Sequence, residues 1–161
     1  MRSDAIFDEK QPDKYRYWLE RVWDENIEKM LFILLNPSTA DEAYDDRTTE
    51  RCIYHAKQLG YGGMEVVNVF ALRSTDKGAL KVCSDPIGPG NDQAIIKAII
   101  KASYIIVGWG EYGSINNRNV IVEEMLADKT DCTFCFRKNN DESPVHPLYV
   151  SYSTNPIPYF Q

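Results

Sequence analysis

Short apolar runs alternate with segments of helical periodicity through the middle of the chain. Apolar residues dominate four runs, which is typical of strands buried on both faces of a sheet: 31–35, 64–70, 104–107 and 133–136. Between them, apolar residues recur every three or four positions and predict helices at 45–59, 91–102 and 114–127. This alternation predicts an α/β fold with three layers, α/β/α, around a central, mostly parallel four-stranded sheet.

The segments around this core are less regular. Residues 15–22 fit both periods, and their aromatic content favours a strand that pairs with the next one through a turn at 24–26. Residues 72–90 predict a long loop rich in Asp, Pro and Gly, of a length usually associated with function. Asp45 or Asp46 is the predicted cap of the first helix, and Asn91 or Asp92 that of the second.

The first apolar run ends abruptly at Asn36-Pro37. Pro37 cannot donate to a strand ladder, and it pushes Asn36 into an extended conformation. Polar side chains past the carboxyl end of a central strand lie where open α/β sheets bind ligands. The other strand ends carry Asn68 and Trp109, and His146 follows the last strand, so the sequence predicts one pocket rim formed by these four residues.

Length and composition predict one globular domain, residues 1–161. No apolar run is long enough to cross a bilayer, so no membrane association is expected, and the lack of a signal segment favours a cytoplasmic location. The net charge of −6 argues against a broad phosphate-binding surface, although Arg73, Lys77 and Lys81 form a small basic cluster. No glycine-rich phosphate loop occurs in the sequence, and no cofactor is expected.

Five short motifs follow one another along the chain. They are Asn-Pro-Ser-Thr-Ala-Asp from residue 36, Gly-Tyr-Gly-Gly from residue 60, Asn-Val-Phe-Ala-Leu-Arg from residue 68, Trp-Gly from residue 109 and His-Pro-Leu-Tyr from residue 146. In this order they resemble the bacterial and phage family known as domain of unknown function 1643. The resemblance covers nearly the whole chain and implies no activity.

The strand ends also resemble those of the uracil-DNA glycosylase-like superfamily. Leu-Asn-Pro-Ser from residue 35 is similar to its water-activating motif, and the strand around Asn68 is similar to the one that reads the uracil edge. Gly-Trp-Gly from residue 108 and His146-Pro147 are similar to its later strand motif and its His-Pro loop. The resemblance implies a uracil-DNA glycosylase-like fold.

The same resemblance implies a role for each matching residue. The catalytic residues would be Asn36, which places a water, and His146, which favours negative charge on the departing base. The base-binding residues would be Asn68, Ser38, Phe70 and Trp109. The DNA contacts would be Thr39, Arg73, Leu148 and Tyr149. No metal is implied.

Departures from the superfamily pattern weaken the expected catalysis. Asn36 stands where the most active branch has Asp, and an amide cannot act as a general base. Ser38 replaces a Tyr, and the intercalating side chain has no clear counterpart, although base flipping requires compensation for unstacking. We therefore expect weak or absent uracil excision in a protein that binds a nucleobase, binds DNA weakly, or binds an acidic DNA-mimic inhibitor of glycosylases. The alternatives are an active glycosylase that removes uracil or a modified base, and a nucleotide- or nucleoside-processing enzyme.

Each candidate site residue also has a structural interpretation. Asn36 would satisfy backbone groups at a strand end, and Asn68 would be a hydrogen-bonded core amide. Trp109 would be core packing, and His146 would be a surface histidine.

Other polar residues are assigned structural roles. Asp41, Asp45 and Asp46 predict a solvated loop that caps the next helix, with Arg51 paired to one of them. His55 is interpreted as a helix-face residue. The Cys132 and Cys135 pair is spaced like half a metal site, but residues three apart in a strand face opposite sides, so buried inert thiols are expected.

Overall fold

The four apolar runs form the parallel centre of a larger, mixed sheet. The computed structural model describes residues 1–160. Its strands are β1 (Arg2–Phe7), β2 (Arg16–Val22), β3 (Lys29–Leu34), β4 (Gly63–Asn68), β5 (Ile105–Gly108), β6 (Thr133–Cys135) and β7 (Ile157–Pro158). They are ordered β1-β2-β4-β3-β5-β6-β7. The α/β class is confirmed, whereas the prediction of a four-stranded sheet is wrong because three antiparallel strands extend it.

The sequence misses the added strands for physical reasons. β1 is mostly exposed at the sheet edge and carries polar residues, so it has no buried pattern. β7 is two residues long and contains Pro158. β2 is the predicted strand at 15–22, but it pairs antiparallel with β4 and not with β3, because both edges of β3 are taken by the parallel strands β4 and β5.

Two of the three predicted long helices occur near their expected bounds. They are α1 (Arg47–Gln58) and α3 (Asn91–Lys101); a short helix, α2 (Ala79–Val82), interrupts the predicted loop. Asp46 caps α1, since its Oδ1 accepts a hydrogen bond from the Thr49 backbone N–H at 2.8 Å. The predicted cap of α3 is wrong: Gly90 holds that position, and Asn91 is fully buried.

The predicted helix 114–127 is only half helical. A 3₁₀ segment at Glu111–Asn117 precedes α4 (Arg118–Met125). Asn116 and Asn117 have φ of 54° and 56°, in the left-handed region that Asn tolerates better than most residues, and these conformations end the first segment. Further 3₁₀ turns lie at Ala127–Cys132 and Pro147–Tyr149. No helix within residues 1–160 is both long and apolar enough to cross a membrane.

Two hydrophobic clusters cover the two faces of the sheet. Leu31, Ile33 and Leu35 pack with the cluster that contains α3 and α4 residues. Met30, Phe32 and Leu34 pack with the cluster that contains α1 residues. Side chains alternate in direction along β3, as in any strand. Leu34 and the residue that follows the strand, Leu35, therefore pack on opposite faces.

Candidate functional site

The carboxyl ends of β3, β4 and β5 meet at one edge of the sheet, where two neighbouring pockets open. Leu34 is in register with both Asn68 and Gly108. The Asn68 pocket lies on the α1 side and is lined by Arg16, Asn36, Ser38, Asp46, Thr48 and Asn68, among others; its volume is about 30 Å³. The His146 pocket is larger, about 320 Å³, and its lining includes Lys77, Trp109, Tyr112, Arg137, His146 and Tyr149.

Asn36 fastens the following loop to the end of β3. Its Nδ2 donates to three backbone carbonyls, those of Pro37 at 3.2 Å, Leu72 at 3.1 Å and Ser74 at 3.0 Å. Three acceptors around one end of the amide fix its orientation. Its Oδ1 therefore points away from them and has no hydrogen-bond donor among the residues described. The structural interpretation of Asn36, in which it satisfies backbone groups at a strand end, therefore describes its Nδ2 atom.

Asn68 lines its pocket, and its side chain carries an unused donor. Its side chain is 2% exposed, and Nδ2 has no acceptor among residues 1–160. Its backbone carbonyl accepts from Asn91 Nδ2 at 2.9 Å, a contact that holds the end of β4 in place. A buried donor left without a partner costs about 1–3 kcal/mol. The interpretation of Asn68 as a hydrogen-bonded core amide is therefore wrong for the Nδ2 group.

Arg16 is a second unused donor in the same pocket. It is 3% exposed; Nη1 donates to the Ala40 carbonyl at 3.0 Å, while Nε has no acceptor in the described part of the chain. Burial lowers the pKa of Arg16 to about 10, against an opposing effect of Asp46. No pattern in the sequence predicts Arg16 as a site residue. The only signal was a cation inside the aromatic segment Tyr15–Trp18.

Asp46 contributes more than the helix cap predicted for it. Its Oδ1 accepts from both the backbone N–H and the hydroxyl of Thr49, each at 2.8 Å. Its Oδ2 accepts no hydrogen bond from the described residues. Since Asp46 lines the Asn68 pocket, that oxygen and Asn36 Oδ1 are acceptors beside the donors of Asn68 and Arg16.

His146 is held as a neutral imidazole in the other pocket. It is half-buried, and its Nδ1 accepts from the Leu148 backbone N–H at 3.1 Å, which leaves the proton on Nε2. Burial, together with the positive charge of Lys77, lowers the pKa of His146 to about 4. His146 is therefore a hydrogen-bond donor without charge near neutral pH.

The predicted single pocket rim is divided in two. Asn36 and Asn68 share one pocket, and His146 and Trp109 share the other, at the same edge of the sheet. Trp109 is 1% exposed and packs edge-on against Tyr159 at 5.7 Å between centroids, so packing is its main role.

The remaining predicted site residues are scattered around these pockets. Phe70 is fully buried in the core and lines neither pocket, which contradicts its predicted base contact. Ser38 lines the Asn68 pocket, and Thr39 is exposed next to it. Arg73 donates to the carbonyls of Ser38 at 3.4 Å and Pro12 at 3.1 Å, and so braces the loop.

A rim of cations and aromatic rings borders the His146 pocket. Lys77 Nζ lies 5.3 Å from the centroid of Tyr149 and 5.7 Å from that of Tyr112. Lys81 Nζ lies 4.9 Å from the Tyr112 centroid, and Arg137 donates to the Tyr149 carbonyl. Tyr149 is 60% exposed, and Leu148 beside it is half-buried.

Away from the pockets, Arg51 and Asp45 have partners other than those predicted. Arg51 does not pair with an aspartate; it donates to the Val150 carbonyl and lies 4.0 Å from the Tyr152 ring centroid. Asp45 instead accepts from Arg21 Nε at 2.8 Å. His55 is buried, and burial lowers its pKa to about 4. The four cysteines are free thiols, and no cluster of three or more potential metal ligands occurs in residues 1–160.

These features define an α/β protein with a polar crevice at the carboxyl ends of its parallel strands. The family model described as a protein of unknown function (DUF1643) matches residues 16–148. The chain belongs to this family, as its motifs predicted. No curated protein and no solved structure matches the chain.

Proposed function

We propose that this chain is a uracil-DNA glycosylase-like protein that binds a nucleobase, free or within DNA, and excises uracil weakly or not at all. One observation carries the proposal. The Asn68 amide nitrogen is a buried, unused donor, and Asn68 lines a crevice at the end of a parallel strand. A ligand acceptor that met it would gain a hydrogen bond for which no protein group competes.

The groups in the Asn68 pocket suit the edge of an oxo-substituted base. Asn68 Nδ2 and Arg16 Nε can donate to ring carbonyl oxygens. Asn36 Oδ1 and Asp46 Oδ2 can accept from ring N–H groups. A volume of about 30 Å³ admits one polar edge and not a whole ring. Recognition therefore concerns the functional groups on one side of the base.

Weak excision follows from the positions of the two residues expected to be catalytic. Asn36 has no carboxylate, and its amide nitrogen is bound to three loop carbonyls. His146 lines the neighbouring pocket and not the one that contains Asn68. Neither residue is arranged to activate a water beside a base held at Asn68.

The rim of the His146 pocket supports an acidic partner. Lys77, Lys81 and Arg137 concentrate positive charge beside the exposed Tyr149 and the half-buried Tyr112, in a chain whose net charge is −6. Such a combination suits single-stranded DNA, whose bases stack on aromatic rings while cations neutralise phosphates. The carboxylates of an acidic DNA-mimic glycosylase inhibitor would pair with the same three cations.

A second candidate function, removal of uracil or a modified base, is favoured by Asp46. Its Oδ2 is a carboxylate oxygen without a hydrogen-bond donor among the described residues, in the pocket that contains Asn68. In this alternative, Asp46 and not Asn36 takes the proton from the attacking water.

One pair of assays separates these functions. We expect a uracil-containing single-stranded oligonucleotide to bind the protein, as measured by fluorescence anisotropy, and to yield little or no abasic product at high protein concentration. Asp46→Asn keeps an N-cap residue and removes the carboxylate. Abasic product from the native chain that disappears in Asp46→Asn would establish the second candidate. Absence of binding to uracil, nucleosides and DNA alike would exclude the first.

A further inference from the structure

Arg16 differs from the other buried arginines in its ionic partner. Arg21 and Arg118 are each 1% exposed, and each bonds a carboxylate, Asp45 at 2.8 Å and Asp92 at 2.7 Å. Arg16 is 3% exposed and forms no ion pair within the described chain. Burying a charge is costly unless it is paired. Arg16 therefore has an opposite charge near it, Asp46, but no carboxylate bonded to it, unlike Arg21 and Arg118.

The first turn of α1 adds further positive potential at the same place. Thr48 and Thr49 line the pocket, and α1 has 12 residues. The first N–H groups of a helix have no intrahelical acceptor, and the helix dipole favours negative charge there. Asp46 Oδ1 takes the Thr49 N–H, which leaves the N–H groups before it for another acceptor.

We infer that the Asn68 pocket is an oxyanion subsite, in which Arg16, Asn68 and the start of α1 bind a phosphate or carboxylate group of the ligand. The inference rests on the proposed function only in placing the ligand in this pocket. The opposing charge is Asp46, and one of its two oxygens is already held by Thr49. The oxyanion can come from a nucleotide phosphate or from a free anion.

The test uses thermal unfolding at constant ionic strength with three probes: inorganic phosphate, uridine and uridine 5′-monophosphate. We expect phosphate and the monophosphate, at saturating concentration, to raise the midpoint of the native chain by about 2 °C or more. Arg16→Gln and Asn68→Asp should lose this shift, the first by removing the cation and the second by adding a repelling carboxylate.

A charge-matched control variant tests whether the loss of the shift is specific to the pocket. Lys10→Gln removes one positive charge from an exposed position and should keep the full shift. If Arg16→Gln does not fold, as judged by circular dichroism, Asn68→Asp alone decides the result, because its side chain has the same shape as Asn. An equal phosphate shift in the native chain and the foldable pocket variants would overturn the inference, and so would the absence of any phosphate shift.

The outcomes separate the two proposals. A shift with uridine but not with phosphate would overturn the oxyanion subsite and leave nucleobase binding intact. A shift with phosphate that is equal for the monophosphate, together with no binding of any base, would support the subsite for a free anion and remove the nucleobase function. A larger shift with the monophosphate than with phosphate would support the subsite and show that the rest of the nucleotide makes contacts outside it.

Discussion

The two pockets at the carboxyl edge of the sheet differ in how they can hold a ligand. The Asn68 pocket is small, and its donors are buried and unpartnered. The His146 pocket is about ten times larger, and its cations lie over aromatic rings at an open rim. Buried donors discriminate strongly between ligands because a mismatch leaves them unsatisfied. An open charged rim attracts many anions and is screened by salt.

The largest expected effect is a loss of stability in acid, and it concerns His146 in the larger pocket. The pKa of His146 is lowered to about 4 from an unfolded value near 6.5, so the unfolded chain binds more protons between these pH values. Stability should therefore fall as the pH drops from 6.5 to 4, by on the order of 2–3 kcal/mol for this residue. The buried His55, with a pKa also near 4, should add a similar loss.

The measurement is urea unfolding between pH 7 and pH 4. His146→Asn keeps an acceptor for the Leu148 N–H and removes the titrating imidazole. Its loss of stability in acid should therefore be smaller than that of the native chain by the contribution of His146. His55→Gln should remove the part that belongs to His55. An unchanged pH profile in His146→Asn would show that its imidazole is not held neutral by the fold.

The end of β5 at Gly108 should be sensitive to a single methyl group. A Cβ at Gly108 would lie 2.8 Å from Pro147 Cδ and 3.2 Å from Leu34 Cδ2, with little room for either to move. We expect Gly108→Ala to lower the free energy of unfolding by about 1–3 kcal/mol through overpacking. Denaturant titration checks this, with Gly78→Ala as the control, since its added Cβ would meet only the Asp76 side chain.

How far the sequence predicts this molecule depends on whether a signal is local. The apolar runs around Leu34 and Val67 predict the central strands because burial on both faces leaves a continuous pattern in the chain itself. The edge strand β1 lacks that pattern, since Ser3 and Asp4 are exposed. A capping aspartate is also a local signal: the sequence predicts Asp45 or Asp46 as the cap of α1, and Asp46 holds that position.

The site is less predictable because its members meet through long-range pairing. Arg16 reaches the pocket because its backbone N–H donates to the Ala71 carbonyl, 55 positions away. No periodicity in either segment indicates that contact. The strand ends predict one rim of Asn36, Asn68, Trp109 and His146, and no local signal indicates that the last two line a separate pocket.

Asp46 offers a test of the small pocket with a moderate effect. Asp46→Ala should destabilise the protein by about 1 kcal/mol through loss of the N-cap, whereas Asp46→Asn should change stability by only a few tenths of a kcal/mol. Urea unfolding of the pair separates the cap from the carboxylate. A large loss of stability in Asp46→Asn would mean that Asp46 is needed as the counter-charge of Arg16 and is not free to meet a ligand.

The smallest expected effect concerns the open rim. Lys77→Gln removes a cation that lies between the rings of Tyr112 and Tyr149, so oligonucleotide affinity should fall several-fold and the slope of log affinity against log salt should decrease by about one. Anisotropy titrations at 50 and 200 mM salt measure both quantities. Lys97→Gln, which changes the net charge equally at a distant surface, should leave the slope unchanged. If Lys77→Gln changes affinity without changing the slope, Lys77 acts on the conformation of the aromatic rings and does not contact a phosphate. The contrast between a small pocket with buried donors and an open rim that attracts anions would then not explain how the two pockets differ.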